Sequence, residues 1–418
     1  MNILLKSAKI IDVGNKDLHL KKKDIYIKNG KIERIATTIA PKGQVKVVTH
    51  KNLHVSKGWF DTGVSFGEPG YEERETIENG LLTAAKSGFT DVILNTDSNP
   101  IADSSSDIIF LKNAAENSIS SLYPLGALTL KSESKDLAEL YDMTNAGAVG
   151  FSDYKRPISN PNLLKIALQY AQNFGGLVFS YPLDESIAGK GQVHEGPVST
   201  QLGLKGIPAL AEELQIVRDL SILEYTGGKL HIPTISTANS VKLVAAAKKK
   251  GLDVSCSTAT HNLWFTDDLL ESFDSRYKVM PPLREKADSK ALINGLKSGT
   301  IDFVTTDHRP MNIEHKELEF DNAEFGTTGL QSAFGILNRL FGEVTAATIL
   351  SKGRERFGIS EVSVKEGSEA RLTLFDPTTS LTLEKSDIVS SSKNSMFLGE
   401  ELKGSVLGII SNNKALIG

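Results

Sequence analysis

Side chains able to do acid–base or metal chemistry are sparse in this chain of 418 residues. Two carboxylates follow strand-like runs: Asp153, in Phe151-Ser152-Asp153, and Asp307, in Thr306-Asp307-His308. Two separated carboxylates without nitrogen donors suit a weak, water-mediated magnesium or calcium site, not a tight zinc site. Each also has a structural reading. Asp153 can cap the turn after its strand, and Asp307 can pair with His308. His231, in Leu230-His231-Ile232, reads as a core histidine, and His194-Glu195-Gly196 is a weak signal for a loop. The single cysteine, Cys256, excludes a disulfide framework and a multi-thiolate metal site, and its segment Leu252-Asp253-Val254-Ser255-Cys256 points to a buried thiol.

The elements that must position these groups follow from periodicity. Lys23-Asp24-Ile25-Tyr26-Ile27-Lys28 alternates, Asn29-Gly30 supplies a hairpin turn, and Lys31 to Ile35 forms the return strand. Ala370 to Phe375 alternates likewise, and Asn412-Asn413 turns a last hairpin. Between these ends, strand-like runs at 91–94, 121–125, 149–152, 177–180, 229–232, 253–256 and 301–306 alternate with helical ones. Pro208 opens a helix that ends at Gly227-Gly228, and a second runs from Asn239 to Lys250 with Gly251 as its C-cap. Repeated β-then-α units favour a (β/α)8 barrel, in which chemistry sits at the C-terminal ends of the strands. The formal net charge of −4 argues against nucleic acid or an anionic membrane as main partner. No apolar run approaches the roughly 20 residues of a membrane span. The start, Met1-Asn2-Ile3-Leu4-Leu5-Lys6, lacks signal-peptide architecture, so a cytoplasmic protein is expected. Lys248-Lys249-Lys250 reads as a solvated helix end.

The stretch Phe60-Asp61-Thr62-Gly63-Val64-Ser65-Phe66-Gly67-Glu68-Pro69-Gly70 resembles the entry motif of the cyclic amidohydrolases, and of dihydroorotases in particular, roughly F-x-D-x-H-x-H-x-R-x-P-G. Further segments are similar to that family: Gly88-Phe89-Thr90; Gly147 to Asp153; Leu202 to Glu213 with His194-Glu195-Gly196; Lys278 to Arg284; and Thr306-Asp307-His308. The resemblance implies a (β/α)8 amidohydrolase-like barrel over 56–359 and a small β-sandwich composed of 1–55 and 360–418.

It also implies a site that this chain lacks. The family's paired metal-binding histidines fall on Gly63 and Ser65, and its substrate-binding arginine on Gly67. Its histidines after strands five and six fall on Tyr181 and Thr234. A substrate-binding asparagine falls on Asp97, and the one expected in K-V-N-P-P-L-R falls on Met280. Asp153 stands at the bridging-ligand position and Asp307 at that of the general base, while His261 matches a structural histidine. Glycine and a serine hydroxyl do not replace imidazole as zinc donors, so no zinc or other cofactor is expected. Asp97 facing a substrate carboxylate would repel it by about 4 kcal/mol at 4 Å and an effective dielectric near 20. The resemblance therefore implies a non-catalytic relative, with aspartate carbamoyltransferase as the expected partner in pyrimidine synthesis and a homo-oligomer, a dimer, as the expected assembly. The alternatives are an active cyclic-amide hydrolase with an altered or metal-free site built on Asp153 and Asp307 with His231 or His308, and a small-molecule sensor using the vacated pocket.

Overall fold

The computed structural model describes residues 1–418 apart from residue 42. Strands from both ends of the chain share one eight-stranded sheet, in the order Lys414–Ile417, Glu401–Ser411, Leu372–Thr382, His54–Lys57, Asn2–Ile11, Lys22–Lys28, Lys31–Ala36, with Lys46–Val48 also paired to Asn2–Ile11. The joint between the termini is the antiparallel pairing of Leu372–Thr382 with His54–Lys57. Alternation drives it: Ile3, Leu5, Ile10, Ile25, Ile27, Val55, Leu372 and Leu374 meet in one buried core. Both hairpin turns use left-handed backbone, with Asn29 and Gly30 at φ 50° and 76° and Asn412 and Asn413 at 50° and 54°.

The middle of the chain builds parallel strands separated by helices. Trp59–Val64, Phe89–Leu94 and Ser121–Pro124 pair in parallel, as do Leu177–Phe179, Lys229–Ile232, Val254–Ala259 and Phe303–Thr305. The strand expected at 149–152 is reduced to Phe151, which bridges Gly126 on one side and Val178 on the other. A further parallel bridge, Val64 to His308, links the last segment to the first. The helix expected after Pro208 spans Ala209–Thr226. The next spans Ala238–Lys249, where the Thr237 side chain accepts from the Ser240 amide and Gly251 follows at φ 83°.

Asp91, on the Phe89–Leu94 strand, ties the two regions together. Its carboxylate takes the fully buried Arg354 guanidinium at 2.6 Å and also Arg371, the residue preceding the Leu372–Thr382 strand. Trp59 adds aromatic contact, lying 4.8 Å from Phe334 and 5.6 Å from Phe375 between ring centroids. Among the described residues no helix is long and apolar enough to cross a membrane.

Candidate functional site

The residues singled out by sequence converge on the C-terminal ends of the parallel strands, and Asp61 organises their base. Its carboxylate accepts from the Gly63 amide at 3.1 Å, from the Thr305 hydroxyl at 2.7 Å and from the Thr306 amide at 3.1 Å, so it fastens the first of these strands to the last. Burial pushes this carboxyl up to about 6, against the pull of the two threonine hydroxyls.

Above it lies a cavity of only about 30 Å³, lined by Thr62, Gly63, Asn95, Ser152, Tyr154, Lys155, Phe179, Tyr181, Pro233, Thr234, Ser257, Thr305 and Asp307. That is room for about one water molecule. Lys155 is the one cation among the lining residues. Its ammonium donates to Asp307 Oδ2 at 2.8 Å and to the carbonyl of Met280. Burial pulls the Lys155 ammonium down and pushes the Asp307 carboxyl up, and each charge opposes the other's shift. Asp307 and Thr234 both hold left-handed backbone, at φ 47° and 49°. Hydroxyls behind them hold these conformations: the Asp307 amide donates to Thr305 Oγ1, and the Thr234 amide to Ser257 Oγ, each at 3.1 Å. Three hydroxyls on the cavity wall, those of Thr62, Tyr154 and Thr234, have no hydrogen-bond partner among the described residues.

The positions expected to be degenerate each have close neighbours. A Cβ on Gly63 would stand 3.5 Å from both Asn95 Oδ1 and Thr305 Oγ1, in ordinary contact. The Ser65 hydroxyl takes the Asn95 amide group at 3.3 Å. Gly67 sits at φ 107°, where a Cβ would come within 2.7 Å of the Tyr71 carbonyl oxygen. Asp97 does not present a bare carboxylate, because Arg309 Nε donates to it at 2.8 Å. Burial alone would raise the Asp97 carboxyl, and the Arg309 guanidinium instead holds it below the usual range.

Asp153 is not in this cluster. Its carboxylate turns under the preceding strand segment and accepts from the amides of Leu128 and Thr129 at 2.9 and 3.0 Å and from the Thr129 hydroxyl at 2.6 Å. These three donors make it a turn cap, the structural reading of its sequence, and it does not line the cavity. The expected pairing of Asp307 with His308 is also absent. His308 accepts from the Gly329 amide through Nδ1 at 3.2 Å, and burial drives its pKa to about 3, so it carries no charge to offer. Its partner's place is taken by Lys155.

Other histidines are structural. His231 lies among Phe179, Phe303 and Phe357, with centroids 4.8 to 5.9 Å away, and its ring nitrogens meet the hydroxyls of Ser255 and Ser257. His261 is wholly buried, and burial takes it to about 3. His194 accepts from Arg284 at 3.0 Å, and Arg284 reaches Ser236, whose amide and hydroxyl bind the buried Glu212. Segments far apart in sequence, around 194, 212, 236 and 284, thus meet in one polar network. Burial and the Arg284 charge together hold His194 down at about 4. Cys256 is buried, its thiol pushed up to about 12.

Lys155, Tyr154 and Arg309 were missed by sequence reasoning. Lys155 and Tyr154 follow directly on Asp153, and Arg309 follows on Asp307-His308. Their positions just past strand ends were legible; their partners, 152 and 212 residues away, were not. Among the described residues no three histidine, cysteine, aspartate or glutamate side chains converge as a metal-holding group.

This fold is that of the amidohydrolase-type enzymes. The chain superposes on an L-hydantoinase (dihydropyrimidinase) from Arthrobacter aurescens with a TM-score of 0.86, at 20% identity over 100% of this chain and 96% of that one. A D-hydantoinase (dihydropyrimidinase) from Thermus sp. gives 0.82 at 21% identity, covering 99% and 95% of the two chains. Sequence narrows the class. The family model for dihydro-orotase-like proteins matches residues 54–240. A protein named dihydroorotase from Pelotomaculum thermopropionicum is 38% identical over 97% of this chain and 96% of its own length, and one from Geobacter metallireducens is 35% identical over 100% and 99%. The chain belongs to the dihydroorotase-like family.

Proposed function

We propose that this protein is a dihydroorotase-like (β/α)8 barrel, with a small β-domain drawn from both termini, whose hydrolytic centre is replaced by the Lys155–Asp307 ion pair. It serves as a non-catalytic structural subunit in pyrimidine synthesis. The observation that carries the reading is the Lys155 ammonium, 2.8 Å from Asp307 in a cavity of about 30 Å³.

The donor set does not fit zinc. Gly63, Ser65, Tyr181 and Thr234 supply no imidazole, Asp153 is engaged by three donors, and Asp307 already holds a cation. A dication beside the Lys155 ammonium would also face like-charge repulsion. A substrate ring has no room beside these residues, and pockets for small ligands run to several hundred Å³.

Aspartate carbamoyltransferase is the proposed partner, as the family resemblance suggests. The test combines two readouts on the purified chain: dihydroorotate turnover in both directions with added zinc, and co-sedimentation with the carbamoyltransferase at micromolar concentrations. Background turnover with a stable complex supports the proposal. Zinc-dependent turnover, or failure to associate, overturns it.

A second reading is favoured by one observation, the name dihydroorotase on relatives aligned along nearly their whole length. It is an active cyclic-amide hydrolase in which Asp307 and Lys155 move the proton. It requires turnover that disappears in Asp307→Asn.

A further inference from the structure

Another cavity, of about 460 Å³, shares no lining residue with the one around Lys155. Stretches far apart in sequence wall it: Glu73, residues 274–276, residues 311–317 and residues 385–398. Its volume is that of a small-molecule site.

The chemistry of this cavity is set by cations that the fold leaves without acids. Lys316, on its wall, is 1% exposed, and its ammonium donates only to the carbonyls of Lys278 and Glu324, at 2.8 and 2.9 Å. Lys278, next to it and 3% exposed, donates only to the carbonyls of Phe320 and Asp321. Lys393, also on the wall, donates to those of Ile388 and Ser390. None of the three ammoniums has an ion-pair partner among the described residues, and each keeps one N–H beyond its two carbonyls. The acids on the wall are committed elsewhere: Asp274 to Arg276, Glu317 to Lys385 at 3.7 Å, and Glu73 to Arg74 at 3.9 Å.

Carbonyls solvate an ammonium but cancel none of its charge, and buried cations are ordinarily paired. The consequence shows at Lys316. Burial, with the charges of Lys278 and Arg309, pushes its ammonium down to about 7, and Asp274 and Glu324 offset only part of that. Two adjacent buried ammoniums without an acid of their own call for a divalent anion. Arg276 adds a planar donor suited to phosphate oxygens; it meets Asp274 through Nε and Nη2, and Nη1 has no acceptor among the described residues.

We infer that this cavity binds a phosphate-type dianion, free or carried by a small metabolite, through Lys316, Lys393 and Arg276. The site is independent of the role proposed for the Lys155–Asp307 cluster. The test is calorimetric titration of the full chain at pH 8 with inorganic phosphate and with ribose 5-phosphate, at ionic strength matched by chloride. Saturable binding below about 10 mM is expected, with a raised melting temperature. Binding should also take up a proton as Lys316 recharges, read from buffers of different ionisation enthalpy. Lys316→Met should abolish that uptake and weaken binding roughly tenfold or more. Lys393→Gln and Arg276→Gln, on half-buried side chains, should each weaken binding roughly tenfold with little change in the melting temperature of the free protein. Tighter binding of ribose 5-phosphate marks a metabolite as the ligand, and equal or tighter binding of inorganic phosphate marks the free ion. Absence of heat and of thermal shift with both probes at about 10 mM overturns the proposal. So does binding that takes up no proton, or that is indifferent to all three variants.

Discussion

Replacing Lys155 by methionine should be among the most damaging single changes in this region, and the damage should be undone by a second one. The Lys155 side chain is 12% exposed and that of Asp307 6% exposed, so neither charge is well hydrated. Removing the cation leaves a carboxylate facing Tyr154, Tyr181 and a carbonyl, and breaking such a buried pair costs ~3–5 kcal/mol. Part of that is relieved by protonation, since burial already raises the Asp307 carboxyl. The sign follows. A carboxyl with a raised folded-state pKa supports folding fully below its unfolded value of about 3.9, and loses that support as pH climbs through the folded value. Lys155→Met should therefore lose more stability at pH 8 than at pH 5. The double variant Lys155→Met/Asp307→Asn removes both charges while keeping at 307 a residue type that tolerates φ 47°, and should lie within about 1 kcal/mol of wild type. The assay is urea unfolding followed by tryptophan fluorescence at the two pH values. Single-variant losses that simply add in the double variant would refute the reasoning, because the two groups would then not be a desolvated pair.

Further expectations follow from the same contacts. Restoring the family's paired histidines with Gly63→His/Ser65→His should give no tight zinc binding and should destabilise the fold by ~1–3 kcal/mol through overpacking against Asn95 and Thr305, read by metal analysis and thermal melting. Gly67→Arg should cost more than about 1 kcal/mol, because φ 107° and the Tyr71 carbonyl penalise any Cβ there; equal melting temperatures would contradict this. Arg354→Met removes one of the two cations on the buried Asp91 carboxylate, leaving Arg371, and should lower stability by ~1–3 kcal/mol in the same unfolding assay. His194 is held down at about 4, so its contribution is present above its unfolded value of about 6.5 and is lost as pH falls toward 4. His194→Gln should flatten the pH dependence of stability over that window.

Local pattern was enough to expose the framework. The Asn29-Gly30 turn, the helix after Pro208 and the parallel strands around 91, 230 and 254 all stand close to where periodicity puts them. The strand expected at 149–152 is reduced to one bridged residue, Phe151, beside Gly150, where a Cβ would press to 2.8 Å on Phe179. That Gly63, Ser65, Tyr181 and Thr234 carry no imidazole is plain in the sequence. The contacts around them are not. Asp153 carried two readings, turn cap and ligand position, because a sequence gives residue type but not the direction of a side chain; its oxygens turn to amides 24 and 25 residues away. Lys155 had no motif to announce it, and Asp97 gave no hint of Arg309. Each is defined by a partner brought near only when the strands assemble.

A crystal grown with millimolar zinc and measured at the zinc absorption edge decides whether the Lys155 ammonium stands where a metal would bind. Lys155 is expected within hydrogen-bonding distance of Asp307, with no anomalous peak between Asp307, Tyr181 and Thr234. A strong peak bound to Asp307, with Lys155 displaced, would contradict it.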